Sequence, residues 1–320
     1  MALASVTRIG VVFPGQGSQQ VGMGRDLNIT SPTAAKIFAR SNELLGYDLL
    51  GLMIDGPDET LRETRYSQPA IYVINHALCA AVGDALQPVV SAGHSFGEFC
   101  SLTIAGAIAF DEALRLVDER AKAMHAAAEL AVGGMTAILG LAPELVRAAV
   151  DEASAGGRVR MANFNAPGQI VVSGDLAAVE RAAELALVKG AKRVVPLNVS
   201  GAWHSELMAP AGAQFAAFVD RAAIGVPRFA VVSNVDAQIY RDVMTIKRNL
   251  VRSVTDEVRW HETALALIGE GLDLVVEFGA SPVLAPLMKR LPNAPTAIHV
   301  GDAAGVERLR AKLGAPELAR

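Results

Sequence analysis

Short apolar runs alternate along the chain with longer stretches in which apolar residues recur every three or four positions. The runs predict buried strands, and the longer stretches predict amphipathic helices. Predicted strands cover 9–13, 88–93, 229–233, 273–278 and 296–300. Predicted helices cover 33–45, 68–86, 96–107, 111–128, 205–222, 242–253, 260–270, 281–291 and 303–313. Strands separated by helices are typical of crossover connections, so we expect an α/β fold with a mostly parallel sheet.

The middle of the chain has a different rhythm. It predicts strand 135–140, helix 143–154, strand 158–163, strand 169–173, helix 176–189 and strand 192–197, with a tight Asn-Ala-Pro-Gly link at 165–168. This βαββαβ order is typical of ferredoxin-like units. We therefore expect an inserted ferredoxin-like α+β subdomain at 130–198, within a larger α/β domain made of 1–129 and 199–320.

Composition narrows the class of protein without identifying it. Of the 320 residues, 52% are apolar and 19% are charged, a balance that builds a core and excludes a disordered or collagen-like chain. A net charge of −4 argues against broad electrostatic binding to nucleic acid. The two cysteines, Cys79 and Cys100, provide no disulfide framework and favour a reducing, cytoplasmic setting.

Sequence signals for membranes, secretion and metals are missing. No apolar stretch reaches the ~20 residues that a spanning helix needs. The N-terminal apolar run leads directly into a Gly-rich turn, which predicts a first strand rather than a signal peptide. Neither H-E-x-x-H nor paired C-x-x-C occurs, so we expect no metal site.

The most informative local pattern is Gly93-His94-Ser95-Phe96-Gly97, which follows a predicted strand and opens a predicted helix. It fits G-x-S-x-G in the strand-to-helix context of a nucleophile elbow. Such a turn needs small flanking residues, lifts the serine hydroxyl above the sheet edge and points backbone N–H groups at an oxyanion. A plain Gly-rich turn is the alternative, but the context favours Ser95 as a nucleophile.

A nucleophilic serine needs a base, and the chain has six histidines. His94 adjoins Ser95 on a tight turn, where neighbouring side chains rarely face each other. His204 lies in a loop between a predicted strand and a predicted helix, where catalytic groups often lie. His261, which begins a predicted helix, is a competitor, and spacing alone leaves this choice open. The others, at 76, 125 and 299, fit helix or strand positions with ordinary structural roles.

The segment 13–20 (FPGQGSQQ) begins like the dinucleotide fingerprint G-x-G-x-x-G, but Gln20 stands at the third glycine position. It is therefore weak support for nucleotide binding. A Gly-Gln-Gly loop at the end of a strand can also bring backbone N–H groups close to a substrate oxygen. A simple tight turn is the alternative.

Together these segments resemble the malonyl-CoA:acyl-carrier-protein acyltransferases of fatty acid and polyketide synthesis. The resemblance covers about 8–300 and rests on seven blocks in the family's order: FPGQGSQ at 13–19, GHSFGE at 93–98, RLVDERAKAM at 115–124, NFNAPGQIVVSG at 163–174, VSGAWHSELM at 199–208, VSNVD at 232–236 and VRW at 258–260. It implies an α/β hydrolase-like catalytic domain carrying the small subdomain.

The resemblance also implies roles for individual residues. Ser95 is then the acylated nucleophile and His204 its base, while the backbone amides of Gln16 and Phe96 form the oxyanion hole. Arg120, which on its helix would otherwise be interpreted as a solvated surface charge, matches the arginine that binds the substrate carboxylate. Two further residues, Asn163 and Trp203, are expected to line the substrate site.

The implied reaction moves a malonyl group from malonyl-CoA to the phosphopantetheine thiol of a holo acyl-carrier protein, with no bound cofactor and through a monomeric enzyme. Alternatives are an acyl hydrolase, a transferase that moves a different acyl group between carriers, and a carrier-binding module without activity. The family's carboxylate-binding arginine favours transfer over hydrolysis, and an intact serine–histidine pair argues against the module.

The sequence departs from the family pattern in places. Arg259 replaces the frequent Gln of the 258–260 block, where a main-chain carbonyl orients the family's histidine, and it would add a cation if it lies close to the site. Trp203 and Phe96 are bulkier than the usual residues, which favours unbranched malonyl over methylmalonyl unless Trp203 packs elsewhere.

Overall fold

The larger of two sheets is wholly parallel. The computed structural model describes residues 7–315. The strands of this sheet are β1 (Ile9–Phe13), β2 (Pro88–Gly93), β7 (Ala230–Val232), β8 (Leu274–Phe278) and β9 (Thr296–Val300). They lie in the order β7-β2-β1-β8-β9, and every neighbouring pair is parallel. The predicted α/β fold with a mostly parallel sheet is therefore confirmed.

Helices cover both faces of this sheet. Successive side chains of a strand point to opposite faces, so each strand contributes to an apolar core on either side. Val11 and Phe13 join one apolar core, whereas Val12 joins a second core on the other face. The helices of this part of the chain are α1 (Arg25–Thr30), α2 (Pro32–Leu45), α3 (Leu49–Asp55), α4 (Asp58–Arg62), α5 (Thr64–Val82), α6 (Gly97–Ile104), α7 (Phe110–Leu130), α10 (Ala209–Arg221), α11 (Val243–Arg252), α12 (Trp260–Gly269), α13 (Leu284–Met288) and α14 (Ala303–Lys312).

The smaller sheet is antiparallel and has the predicted βαββαβ order. Its elements are β3 (Gly133–Leu139), α8 (Pro143–Ala153), β4 (Val159–Ala166), β5 (Gln169–Asp175), α9 (Leu176–Val188) and β6 (Arg193–Pro196). The strands lie in the order β4-β5-β3-β6. Ile138, Val146, Val172 and Val179 belong to an apolar core of its own under the two helices.

Two backbone hydrogen bonds join the smaller sheet to the larger part of the fold. Phe164 donates its N–H to the carbonyl of Val258 at 2.9 Å, and Val258 donates to the carbonyl of Ala162 at 2.8 Å. This link brings the middle of β4 against the segment just before α12. The carboxyl ends of β1 and β2 therefore face a wall that β4 helps to form.

Some predicted boundaries are wrong for identifiable reasons. Predicted helix 281–291 is reduced to α13, because the buried carboxylate of Glu277 accepts the N–H groups of Val283, Leu284 and Ala285 at 2.7–2.8 Å. Predicted helix 205–222 starts later, at α10, because the Ser205 side chain caps a short 3₁₀ turn first. Three short helices, α1, α3 and α4, have no counterpart in the prediction.

The predicted larger domain includes residues 1–6 and 316–320, which lie outside the described residues. The first residues of the N-terminal segment, for which a strand rather than a signal peptide was predicted, lie outside them as well. Within residues 7–315, no helix combines the length and the apolar character needed to cross a bilayer.

Candidate active site

Ser95 lies at the turn between β2 and α6 and has a φ of 53°, a left-handed conformation that is rare for a non-glycine residue. Its two flanking glycines leave no room for a side chain. A Cβ on Gly93 would lie 1.9 Å from the carbonyl carbon of Gly97, and one on Gly97 would lie 2.4 Å from the carbonyl oxygen of Phe13. The structure thus gives the G-x-S-x-G pattern a geometric reason.

The structure brings His204 to Ser95 across 109 positions of sequence. Ser95 Oγ lies 2.9 Å from His204 Nε2, and His204 Nδ1 lies 3.1 Å from the carbonyl oxygen of Asp256. A carbonyl only accepts hydrogen bonds, so the proton of the neutral ring sits on Nδ1 and Nε2 faces the hydroxyl as an acceptor. Within residues 7–315, no carboxylate is hydrogen-bonded to this ring.

The surroundings of His204 keep its ring uncharged. Burial, with smaller contributions from the positive charge of Arg120 and from the neighbouring His94, lowers the pKa of His204 from 6.5 to about 3. The imidazole is therefore neutral at pH 7, which is the form that takes up a proton. A base in this form is available to the Ser95 hydroxyl without a prior deprotonation.

Two backbone N–H groups near Ser95 have no protein acceptor in the part of the chain that the structure describes. They belong to Gln16 and Phe96, and both residues line the same cavity as Ser95. The parallel register sets Phe13 opposite Gly93, so the loops that leave β1 and β2 run side by side. Unpaired N–H groups beside a nucleophile are the chemistry of an oxyanion hole.

Arg120 is a buried cation without an anionic partner. It projects from α7 and is 1% exposed. Its Nη1 donates to Gln68 Oε1 at 2.7 Å and its Nη2 to Ser95 Oγ at 3.3 Å, but within residues 7–315 it forms no ion pair. Burial lowers its pKa from 12.5 to about 10, so it stays charged at neutral pH. Such a site favours a ligand that brings a negative group.

These groups share one cavity of about 210 Å³ between the two sheets. Gln16, Ser95 and Arg120 come from the larger part of the fold. Met135, Asn163, Asn165, Gln169 and Val171 come from the strands of the smaller sheet, and Leu197, Val199, Trp203 and His204 come from the segment that follows it. The cavity is therefore polar around Ser95, and its other walls combine the polar side chains of Asn163, Asn165 and Gln169 with apolar ones.

The two bulky residues lie at the cavity, and the condition set for Arg259, closeness to the site, is not met. Trp203 and Phe96 both line the cavity. A Cβ on Gly201 would lie 2.6 Å from the Trp203 ring, so glycine makes room for the indole. Arg259 is not among the lining residues, and its guanidinium pairs with Glu262 on α12. The cation that this position adds is therefore directed away from the cavity.

The remaining histidines are placed elsewhere. His261, the competing candidate base, lies on α12 and does not line the cavity. His94 lines it, but its Nε2 is 2.9 Å from Asn165 Oδ1 and not at the serine hydroxyl. His76 packs against Phe110, His125 lies 3.6 Å from Glu129, and His299 donates from Nε2 to the carbonyl of Gly279.

Sequence reasoning missed two groups at this site. Gln68 holds Arg120, and the available signal was a polar side chain directly before the apolar run at 69–74 of helix α5. Asp256 orients His204 through its main-chain carbonyl, two residues before the 258–260 block where the resemblance placed that carbonyl. A main-chain contact leaves no trace in side-chain patterns, so this partner was not predictable from residue types.

Comparison with known proteins finds similarity to one family along most of the chain. The family described as "acyl transferase domain" matches residues 11–305. A malonyl CoA-acyl carrier protein transacylase of Haemophilus influenzae is 40% identical over 300 residues, which is 93% of this chain and 96% of that protein. Its Bacillus subtilis counterpart is 37% identical over 94% of this chain and 96% of its own length.

Solved structures agree with the sequence comparisons. A malonyl transacylase in complex with a type II polyketide acyl-carrier protein has a TM-score of 0.92 and 38% identity, covering 96% of this chain and 100% of that chain. An acyl-carrier-protein S-malonyltransferase from Burkholderia pseudomallei has a TM-score of 0.91 and 40% identity, covering 95% of this chain and 99% of that chain.

Proposed function

This chain belongs to the acyl transferase domain family, and on that premise we propose that it moves a malonyl group from malonyl-CoA to the phosphopantetheine thiol of an acyl-carrier protein. The observation that carries the proposal is the position of Arg120, a buried cation 3.3 Å from the hydroxyl of Ser95 that has no ion pair in the described part of the chain. A malonyl thioester has a reactive carbonyl at one end and a carboxylate at the other, which matches this pair.

The first half-reaction acylates Ser95. His204 Nε2 takes the hydroxyl proton while Oγ attacks the thioester carbonyl. The oxygen of the tetrahedral intermediate takes the negative charge and accepts hydrogen bonds from the N–H groups of Gln16 and Phe96. When the intermediate collapses, the C–S bond breaks, His204 returns its proton to the CoA sulfur, and a malonyl-serine ester remains.

The second half-reaction runs the same steps with a different thiol. The phosphopantetheine thiol of the holo carrier protein gives its proton to His204 and attacks the ester carbonyl. Collapse breaks the bond to Ser95, and the serine oxygen recovers the proton from His204. The cycle is balanced without a metal, a redox group or water, so we propose that no cofactor is bound.

Arg120 selects the acyl group by its charge and its fork geometry. A guanidinium binds a carboxylate through two parallel N–H bonds, which fixes the direction of the bound acyl chain. Gln68 holds the Nη1 side of the fork at 2.7 Å, so the guanidinium is oriented before substrate arrives. Asn163 and Trp203 complete the wall around the acyl group, and we propose that Trp203 disfavours a branch at the α-carbon.

We also propose that two structural units contribute different parts of the active site. Residues 130–198 form the inserted subdomain and supply one wall of the cavity, while 1–129 and 199–320 carry the nucleophile, base and arginine. The separate apolar core beneath α8 and α9 supports this division. We propose that the protein acts as a monomer in the cytoplasm, where its buried free cysteines, Cys79 and Cys100, stay reduced.

The test is acylation of the purified protein by malonyl-CoA, read as intact mass. We expect wild type to gain one malonyl group, Ser95→Ala to gain none, and Ser101→Ala to gain one. Ser101 is a matched control because it is a buried serine on α6 whose hydroxyl contacts Ser91, away from the cavity. Adding holo carrier protein should then remove the group from the enzyme and place it on the carrier.

Other outcomes would contradict the proposal. Release of free malonate without an accumulating adduct would identify an acyl hydrolase. Acylation by other acyl-CoA thioesters but not by malonyl-CoA would identify a transferase for a different group. An unchanged biological function of the Ser95→Ala variant would identify a carrier-binding module.

A further inference from the structure

A buried polar cluster lies behind Ser95, on the side away from the cavity. It consists of Asn234, Glu98 and Tyr240, which are 1%, 1% and 5% exposed. Asn234 precedes α11, Glu98 lies in the first turn of α6, and Tyr240 follows β7. The reaction described above uses none of these three side chains.

Asn234 contacts the backbone of Ser95 on both sides of its Cα. Its Oδ1 accepts the N–H of Ser95 at 3.0 Å, and its Nδ2 donates to the carbonyl of Ser95 at 3.2 Å. These two bonds span the φ and ψ torsions of one residue, and that residue has the left-handed φ of 53°. A side chain in this position stabilises a conformation that the backbone of a serine otherwise avoids.

Glu98 fixes the orientation of that amide. Its Oε2 accepts the backbone N–H of Asn234 at 2.8 Å and also accepts Nδ2 of the same residue, while Oε1 accepts the hydroxyl of Tyr240. Because the carboxylate takes a donor from Asn234, the Nδ2 end must face Glu98 and the Ser95 carbonyl. The Oδ1 end is then left for the N–H of Ser95, so the amide has one defined orientation.

We propose that Asn234, oriented by Glu98 and Tyr240, is a positioning residue that holds the Ser95 backbone so that Oγ stays in line with His204. The inference rests on the proposed function, since it concerns the rate at which Ser95 is acylated. The side chain of Asn234 hydrogen-bonds neither Arg120 nor any cavity-lining residue other than Ser95, so substrate binding should survive its loss while the chemical step slows.

The experiment compares two buried asparagines by rapid-mixing acylation with malonyl-CoA. Asn249 is the matched control: it is 0% exposed and donates to Ser233 and Asp236 in the same region, but it contacts neither Ser95 nor Glu98. We expect Asn234→Ala to lower the acylation rate constant about 100-fold, since small misplacements of reacting groups cost rates of this order. The malonyl-CoA concentration that gives half of the maximal acylation rate, and the burst amplitude per folded enzyme, should both stay within about twofold of their wild-type values. Asn249→Ala should acylate at the wild-type rate.

Two further measurements test whether Asn234 positions Ser95. Asn234→Asp keeps the side-chain volume and the acceptor for the Ser95 N–H but loses both donors, so we expect it to be slow as well. Labelling of Ser95 by a fluorophosphonate should slow in parallel, because this reaction needs the nucleophile but not the malonyl group. Wild-type rates for Asn234→Ala or Asn234→Asp, or equal slowing in Asn249→Ala, would overturn the inference. Failure of wild type to react with malonyl-CoA while the fluorophosphonate still labels it would instead refute the proposed function.

Discussion

Replacement of Arg120 by Ala tests the acyl selectivity of the site most directly. The fall of the Arg120 pKa from 12.5 to about 10 corresponds to roughly 3 kcal/mol that disfavours the charged form, and within residues 7–315 Arg120 forms no ion pair. In the proposed reaction, a bound malonyl carboxylate supplies an anion to this guanidinium. In the Arg120→Ala variant the same carboxylate would enter the cavity unpaired, and stranding one member of a buried charge pair costs about 2–5 kcal/mol.

This free energy sets the size of the expected effect. At about 1.4 kcal/mol per factor of ten, kcat/KM for malonyl-CoA should fall by about 30-fold to about 5,000-fold. Acetyl-CoA lacks the carboxylate and enters the same cavity, so its kcat/KM should not fall. The assay is transfer to holo carrier protein with each thioester in turn, and the measured quantity is the ratio of the two kcat/KM values.

A control on the same helix separates charge from structure. Arg115 also lies on α7 but is 55% exposed and lies 3.9 Å from Glu112, so Arg115→Ala should leave both thioesters unaffected. If Arg120→Ala kept its malonyl-CoA activity within twofold, the arginine would not bind the carboxylate. If both thioesters lost activity by the same factor, the arginine would support the fold or Ser95 rather than select the substrate.

Three more predictions follow from the geometry. The His204 pKa is about 3 in the fold and near 6.5 in the unfolded chain, so below pH 6.5 the unfolded state binds a proton that the folded state does not. The stability that this residue contributes is therefore complete above pH 6.5 and is lost as the pH falls. In urea unfolding, the free energy of unfolding of wild type should fall by about 2 kcal/mol more than that of His204→Gln between pH 8 and pH 5. Over the same range kcat/KM should stay flat, whereas a fall with a midpoint near 6.5 would show that the base is not buried as described. Gly97→Ala should destabilise the fold by about 1–3 kcal/mol or more, since its Cβ meets a carbonyl oxygen. Gly269→Ala on α12 should be neutral or stabilising in thermal unfolding, because no atom of residues 7–315 lies within 4 Å of the added Cβ. Trp203→Phe should raise kcat/KM for methylmalonyl-CoA relative to malonyl-CoA about tenfold, the scale of one methyl group in a pocket; an unchanged ratio would show that the indole does not limit the α-carbon.

Much of the architecture is a local property of the sequence. The apolar runs at β1, β2, β8 and β9 predicted buried strands, since a strand covered on both faces needs apolar residues throughout. The βαββαβ segment was predicted in order because its turns carry Gly, Pro and Asn. The boundaries near α13 were wrong because Glu277, which is seven residues before Leu284 in sequence, takes the amides that a helix would have started with.

The same distinction between local sequence and distant contacts applies to the residues of the site. The nucleophile elbow was predictable from five adjacent residues, because the G-x-S-x-G pattern lies between a predicted strand and a predicted helix. The reason for Gly97, a close approach to the carbonyl of Phe13, appears only in the tertiary structure. The choice of His204 over His261, the carbonyl of Asp256 and the burial of Arg120 depend on distant segments. On α7 alone Arg120 resembled a surface charge, and the resemblance, not its helical position, assigned it a role. Only the tertiary packing of α7, where α5 supplies Gln68 and the turn after β2 supplies Ser95, removes Arg120 from water. We propose that this burial makes the cation a receptor for a carboxylate.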